Sequence, residues 1–369
     1  MKKKLNNNLV IFVCDSRDYH AMDWFHTVKQ INNNKNIILA TDIFDNSHTN
    51  LILEDDQIIK LLNINEFIFK KQNYLSDLWR NIIKLVATII QVRKLKSISK
   101  QYPTAIFHAH SMYYIFLCWL ANLNFIATPM GSDVLVRPDE SLLYKYVTQK
   151  ALKYAATITV DSVSMQKKVS LLSNKDSIII QNGIDVKLIN SYVLNTIIRN
   201  EIVSIRGFYA NYQIEKIIHS RAFSNINLPI NFVYPFYDSI YRENIIKEFI
   251  EGDNDMGRLN KHDLYSLLAK SVLVLSIPGS DSSPRSVYEA IFAGACVAAS
   301  YSEWIDTLPS CMKERVIVVD LNNPGWLLDA IKLAEIRSKT PYIPTYEALV
   351  EYDQYESMKK VCNEVYNIL

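Results

Sequence analysis

Short β-branched runs alternate along the chain with longer stretches of helical period. Leu9 to Val13, Ile37 to Ala40, Ala105 to Ala109, Phe125 to Thr128, Thr157 to Val160 and Ser177 to Ile180 form a first series. Ile202 to Ile205, Ile230 to Tyr234, Val272 to Ser276, Cys296 to Ala299 and Val316 to Val319 form a second. Short, mostly apolar strands separated by helices read as parallel sheets covered on both faces. The pattern therefore predicts two doubly wound, Rossmann-like α/β domains facing across a cleft, with strand carboxyl ends at a shared crevice where such sheets bind ligands.

A length of 369 residues exceeds what one hydrophobic core usually serves, which agrees with two domains. Between the series lies the turn cluster Gln181 to Asp185, followed by a polar stretch to about Asn200. The expected division is 1–190, 191–351 and a last segment 352–369, whose helix, about Tyr352 to Ile368, can cross back to the first domain. The start MKKK resembles a signal n-region, but the apolar stretch Leu9 to Cys14 is short and Asp15 closes it, so a buried strand is expected. Ser111 to Ser132 carries no charge, yet Asn122, Asn124, Pro129 and Gly131 interrupt it. A buried helix followed by a strand is expected there, not a membrane span.

Composition narrows the chemistry. The eight glycines leave residues 1 to 130 with none, so GxGxxG cannot follow the first strand, which runs into Cys14, Asp15, Ser16, Arg17. A dinucleotide enzyme is demoted, because those glycines admit the pyrophosphate. GxxxxGK[ST] is also absent. A formal charge of +2 is too small for a dedicated nucleic-acid binder. The five cysteines show no CxxC spacing, which suits a reducing cytoplasm better than zinc or disulfides.

The most informative stretch follows Val272 to Ser276 and reads Ile277-Pro-Gly-Ser-Asp-Ser-Ser-Pro-Arg-Ser-Val-Tyr-Glu289. Ser283 is a good N-cap, Pro284 a good first helical residue, and Gly294 a good left-handed stop, so a helix from Pro284 to Ala293 is predicted. Amides of Arg285, Ser286 and Val287 at its start would offer an anion the positive helix end. Asp281 before the helix and Glu289 on its second turn supply two carboxylates. A capped helix with solvent-facing acids is the plainer reading.

An acid, seven residues and a Glu before a small-residue helix end resemble the acidic signature of retaining GT-B glycosyltransferases, in the group 1, family 4-like type that includes bacterial lipopolysaccharide, O-antigen and capsule sugar transferases. Here Asp281 and Glu289 hold the two positions, followed by Ala290 to Ser300, with Asp281 a methylene shorter than the frequent Glu. The resemblance implies that Asp281 contacts hydroxyls of the transferred sugar, the following amides hold the diphosphate, and Glu289 accepts from the ribose. Similar features recur in order: His108-Ala-His110, Gly131-Ser-Asp133 and Asn182-Gly-Ile-Asp185. His110 is favoured as the functional histidine, although a strand-end histidine is also a common structural hydrogen-bond partner. Gly131 and Ser132 would bring amides near the reaction centre, while Asp133 can simply cap a helix.

By the same resemblance, Arg206 with Gly207 matches an arginine placed on the donor phosphates. The companion lysine is missing, since the chain reads Phe208-Tyr-Ala-Asn-Tyr212. Arg285 is a secondary donor-binding candidate, or else a solvent-facing arginine. The reading requires no metal and no cofactor beyond a nucleotide diphosphate sugar as donor substrate.

From Lys70 to Lys100 the chain carries Arg80, Lys84, Arg93, Lys94, Lys96 and Lys100 against Asp77, interleaved with Trp79, Ile82, Ile83, Leu85, Ile89, Ile90 and Val92. Such a helix can lie on an anionic bilayer, or can be a covering helix with a solvated basic face. The expected function is metal-independent transfer of a hexose or N-acetylhexosamine to a lipid-linked or polysaccharide acceptor hydroxyl, with retention. Its expected setting is bacterial surface polysaccharide biosynthesis in the cytoplasm, at the inner face of the plasma membrane. A sugar-nucleotide epimerase of related fold and a non-catalytic GT-B partner subunit are the alternatives.

Overall fold

Every strand pairing among the described residues is parallel. The computed structural model describes residues 9–33, 36–44, 58–64, 74–193, 198–224 and 227–367, with the side chains of 44, 64 and 74–84 outside that description. Two compact units result: one contains the residues up to Asn182 and those from Ser357 onward, the other Gly183 to Glu356.

The first unit is built on β1 (Val10–Val13), β2 (Ile37–Phe44), β3 (Ile58–Ile64), β4 (Ile106–His110), β5 (Phe125–Thr128), β6 (Thr157–Val160) and β7 (Ile178–Ile179), in the order β3-β2-β1-β4-β5-β6-β7. The second has β8 (Glu201–Ser204), β9 (Asn231–Val233), β10 (Asn254–Gly257), β11 (Ser271–Ser276), β12 (Cys296–Ala299) and β13 (Val316–Val318), in the order β10-β9-β8-β11-β12-β13. Both are doubly wound Rossmann-like sheets. In each, the strand order reverses once, between β1 and β4 and between β8 and β11. Chain leaves the sheet toward opposite faces at such a point, which opens a crevice at the carboxyl ends.

Two strands, β3 and β10, were not anticipated, and both lie at a sheet edge. The sequence of β10, Asn-Asp-Met-Gly, is mostly exposed and carries no apolar run. Between residues 111 and 132 the chain forms helix Ser111–Leu120 and then β5, as the interrupted apolar stretch predicts. No helix among the described residues is long and apolar enough to cross a membrane.

The units divide at 182/183 rather than 190/191, because helix Val186–Asn190, capped by Asp185 at 2.9 Å, packs Val186 and Ile189 into the second core. Tyr352 also belongs to that core, so the return begins after Glu356 and not at residue 352. Beyond it, Met358, Val361, Cys362, Val365 and Tyr366 join Phe12, Trp24 and Phe25 on one face of the first sheet. The MKKK start, residues 194–197 of the polar stretch, Lys70 and Ile368 lie outside the described residues, as do the side chains of Asp77, Trp79, Arg80, Ile82, Ile83 and Lys84.

Candidate functional site

At the switch point of the second sheet, β8 runs into Ile205, Arg206 and Gly207, and β11 runs into the loop Ile277 to Pro284. Arg206 joins the two. Its Nε donates to Ser276 Oγ at 2.7 Å, and its Nη2 lies 2.9 Å from Asp281 Oδ2. Both side chains are mostly buried, 12% and 19% exposed. Nη2 has no hydrogen-bond partner among the described residues, and what links it to Asp281 is the ion pair. The Tyr212 ring lies 5.9 Å from the guanidinium, within range of a cation–π contact. A Cβ at position 207 would run into the Phe236 ring, so any larger residue there needs that ring to move.

The segment that lacks the companion lysine does different work. Asn211 O accepts from Gly279 N at 2.7 Å, Asn211 Nδ2 donates to Ser280 O at 3.3 Å, and Gln213 Nε2 donates to Ile277 O at 2.9 Å. It therefore fastens the acidic loop from one side. Asp281 shapes the loop from within, since its Oδ1 accepts from Ser283 N at 3.2 Å. Ser302 Oγ donates to the Asp281 carbonyl at 3.2 Å.

The helix after the loop spans Arg285–Phe292, with Pro284 in the N-cap position and no side-chain cap. Ser283, expected as the cap, instead uses its carbonyl to accept from Arg285 N at 3.0 Å, and Pro284 O accepts from Val287 N at 2.8 Å. Two of the three amides expected to face an anion are thus engaged locally by a tight first turn. Ser286 N has no backbone acceptor among the described residues. The far end follows expectation: Gly294 has φ +89°, Gly294 N donates to Ile291 O and Ala295 N to Ala290 O, the paired bonds of a Schellman stop.

Glu289 is buried on this helix and does not face solvent. Its Oε1 accepts from the Tyr265 hydroxyl at 2.9 Å, and Arg285 Nε lies 3.6 Å from the same oxygen. Arg285 is only 10% exposed, which corrects the solvent-facing reading of that residue. Burial, and then the Glu289 carboxylate, hold the Tyr265 phenol well above its usual range, so it stays a donor.

In the first unit His110 ends β4, next to β5 through the pairing of His110 with Thr128. Its ring stacks on Phe12 at 5.5 Å and meets the edge of Trp24 at 5.1 Å, and its buried Nε2 has no hydrogen-bond partner among the described residues. His108, on the same face, is fully engaged by Tyr366 through Nδ1 and by Thr128 Oγ1 at 2.6 Å through Nε2. Gly131 and Ser132 open the short helix Gly131–Leu135 after β5. Asp133 is structural: it accepts from Met112 N at 2.8 Å and Met130 N at 3.2 Å, and pairs with Arg137 at 2.9 Å. The first unit thus brings the segment after His110 and the segment at Gly131 together, and the second unit pairs Arg206 with Asp281 and Arg285 with Glu289. Ser276 and Tyr265, which hold Arg206 and Glu289, escaped sequence reasoning because neither lies within a motif.

Burial, and then the neighbouring His20, push the His110 pKa down to about 3, while burial and His110 hold His108 well below its usual range. Both rings are neutral at pH 7. An unfolded histidine titrates near 6.5, so between 6.5 and about 3 the unfolded chain binds more protons. The contribution to stability is therefore intact above 6.5 and is lost as pH falls toward 3. His110→Phe should flatten the fall of melting temperature between pH 6.5 and 4, and parallel curves for the two proteins would count against a neutral buried ring.

Among the described residues no group of three or more His, Cys, Asp or Glu could hold a metal ion. No family model matches the sequence, and no curated protein matches it. Solved structures match in fold. HepE of Anabaena, determined in complex with UDP and glucose, aligns with a TM-score of 0.71 at 13% identity, over 97% of this chain and 100% of its own. A glycosyltransferase from Rickettsia africae aligns at 0.64 and 13% identity, over 98% of this chain and 99% of its own. Sucrose-phosphate synthase from Thermosynechococcus elongatus gives 0.64 and 13%, with coverage of 98% and 99%. The chain therefore has the GT-B fold of these structures.

Proposed function

We propose that this chain is a retaining, metal-independent glycosyltransferase that moves a hexose or N-acetylhexosamine from a nucleotide diphosphate sugar to a lipid-linked or polysaccharide acceptor hydroxyl. Its setting in this reading is bacterial O-antigen or capsule biosynthesis, in the cytoplasm at the inner face of the plasma membrane. The observation that carries the reading is the Arg206–Ser276–Asp281 constellation at the switch point of the second sheet, followed by a helix that bears Glu289.

In the reaction the bond between the anomeric carbon and the diphosphate oxygen breaks, and its electron pair remains on the phosphate. The acceptor oxygen bonds to the anomeric carbon, and its proton passes to the departing diphosphate. Arg206 is assigned to the growing phosphate charge, where a fixed cation in a mostly buried position is more effective than in water. Asp281 is assigned to hydroxyls of the transferred sugar. Arg285, Ser286, Val287 and Pro284 are assigned to the diphosphate, with Ser286 N as the principal amide. Glu289, fixed by Tyr265 and Arg285, accepts from the ribose. His110, neutral and with a buried Nε2 that lacks a partner among the described residues, is assigned a hydrogen bond to a sugar or acceptor hydroxyl.

HepE was determined with UDP, which makes a uridine donor the first to try. UDP, GDP and ADP should be compared for thermal stabilisation of the wild type and of Glu289→Ala. One diphosphate is expected to raise the wild-type melting temperature and to leave the variant unmoved, since a lost hydrogen bond to a charged group costs about 1.5–3 kcal/mol of binding. No shift with any of the three in the wild type would remove the main support. Turnover of donor without acceptor, giving an isomerised nucleotide sugar, would favour the epimerase.

A further inference from the structure

The second unit holds a group of arginines that the proposed chemistry does not use. Arg199 precedes β8, Arg315 precedes β13, and Arg337 ends the helix Trp326–Arg337 that follows β13. A helix packed back on a parallel sheet runs against its strands, so all three positions fall at the amino edge. Arg206 and Asp281 follow the carboxyl edge, at the other end. Cys296, the first residue of β12, lies among the three: Arg315 Nη1 is 4.0 Å from its Sγ, and Arg199 rests against the Gly294 turn just before it. Burial raises the Cys296 thiol, and Arg315, Arg337 and Arg199 all oppose that rise.

What these guanidiniums touch is backbone. Arg315, 5% exposed, donates through Nη1 to Arg337 O at 3.1 Å and through Nη2 to Thr340 O. Arg337 Nη1 donates to Glu314 O and Val316 O, both at 2.9 Å, and Arg199 Nη1 lies 3.5 Å from Ser271 O. None of the three is paired with a carboxylate among the described residues. Arg221, the other buried arginine of this unit, has Asp253 at 2.6 Å. Carbonyls orient a cation without neutralising it, and a buried charge lacking a counter-charge is costly. Burial, and then repulsion from Arg315, hold the Arg199 guanidinium below its usual range.

Arg315 and Arg337 line a cavity of about 400 Å³ with Cys311, Glu314, Thr340 and Tyr342. That size lies within the range of about 300–1,000 Å³ usual for small-molecule sites. The Tyr342 ring lies 5.8 Å from the Arg315 guanidinium. Nε and Nη2 of Arg337 donate to nothing among the described residues, which leaves that fork for two parallel bonds to an oxyanion. We propose that this cavity binds a phosphate group, as the free ion or as the ester of a small molecule. The three arginines less Glu314 leave a formal charge of +2, which one phosphoryl group of about −1.5 to −2 offsets. The inference goes beyond the transferase reading and does not depend on it.

Cys311 supplies the readout, since it lines the cavity and the other four cysteines are buried. Its alkylation by iodoacetamide, located by peptide mass, is to be followed in the full chain at constant ionic strength with inorganic phosphate, glucose 6-phosphate or glucose. Both phosphates are expected to slow it, by about tenfold at ten times the dissociation constant, and glucose to leave it unchanged. Whichever phosphate acts at the lower concentration names the source. Arg337→Gln should need about tenfold more phosphate, the cost of a charge-assisted bond. Arg337→Lys, which keeps the charge and loses the fork, should fall between it and the wild type. Arg206→Met should be protected as the wild type is, which separates this cavity from the donor site. A cooperative melting transition above the assay temperature identifies the folded variants; the wild-type and Arg206→Met arms decide the matter if the Arg337 variants lack one. No protection of the wild type by either phosphate, equal protection by glucose, undiminished protection in a folded Arg337→Gln, or loss of protection in Arg206→Met would each overturn the proposal.

Discussion

Replacing Asp253 by alanine is expected to cost the second unit about 3–5 kcal/mol, the typical loss when one partner of a buried ion pair is removed. Asp253 and Arg221 approach to 2.6 Å and are 0% and 3% exposed. The carboxylate also accepts from Ile230 N at 2.9 Å through Oδ1 and from Ile250 N at 2.9 Å through Oδ2. One side chain therefore fixes the turn before β9, the turn before β10 and the helix Ile214–Phe223. Alanine would leave a buried guanidinium and two amides without that acceptor. Denaturant unfolding should show a lower midpoint with little change in slope. Removing both charges in Arg221→Met/Asp253→Leu should restore part of the loss, because no lone charge remains. A loss under about 1 kcal/mol in the single variant would mean that water reaches the pair.

Arg206→Met is expected to lower kcat/KM by about 10²–10³, the cost of losing one preorganised group that stabilises developing charge. Lysine should not rescue it, because a point charge cannot span Ser276 Oγ and Asp281 as the guanidinium fork does. The exchange Arg206→Asp/Asp281→Arg separates the two roles open to this arginine. A purely structural pair would regain activity with its charges reversed, whereas a phosphate-binding cation at 206 would not. Recovery of near wild-type turnover by the exchange would refute the donor assignment.

How much of this was legible in the sequence varies with burial. β5, β6 and β12 match their predicted runs residue for residue, because interior strands are buried on both faces and draw on apolar and β-branched side chains. β10 is held by backbone pairing to β9 at an edge, and its exposed Asn-Asp-Met-Gly leaves no such trace. The loop from Ile277 to Glu289 was legible because capping, turn and small-residue requirements are local. What holds its charged residues was not. Tyr265 reaches Glu289 from 24 positions away, and Asn211 and Gln213 reach the loop from 68 and 64 positions away or more. Contacts of that kind depend on which helices the fold sets side by side. The missing lysine reads in sequence as a loss; in the structure its neighbourhood is a clamp on the acidic loop.

The return of the chain to its first unit bears on the order in which the protein can be finished during synthesis. Residues 9–182 leave the ribosome with Phe12, Trp24, Phe25 and Ile180 prepared for a partner that has not been made. Met358, Val361, Cys362 and Tyr366, with the Tyr366 bond to His108, arrive only after the whole second unit has emerged. The unit that begins first is therefore completed second, and for that interval its aromatic face lacks the cover that the last residues supply.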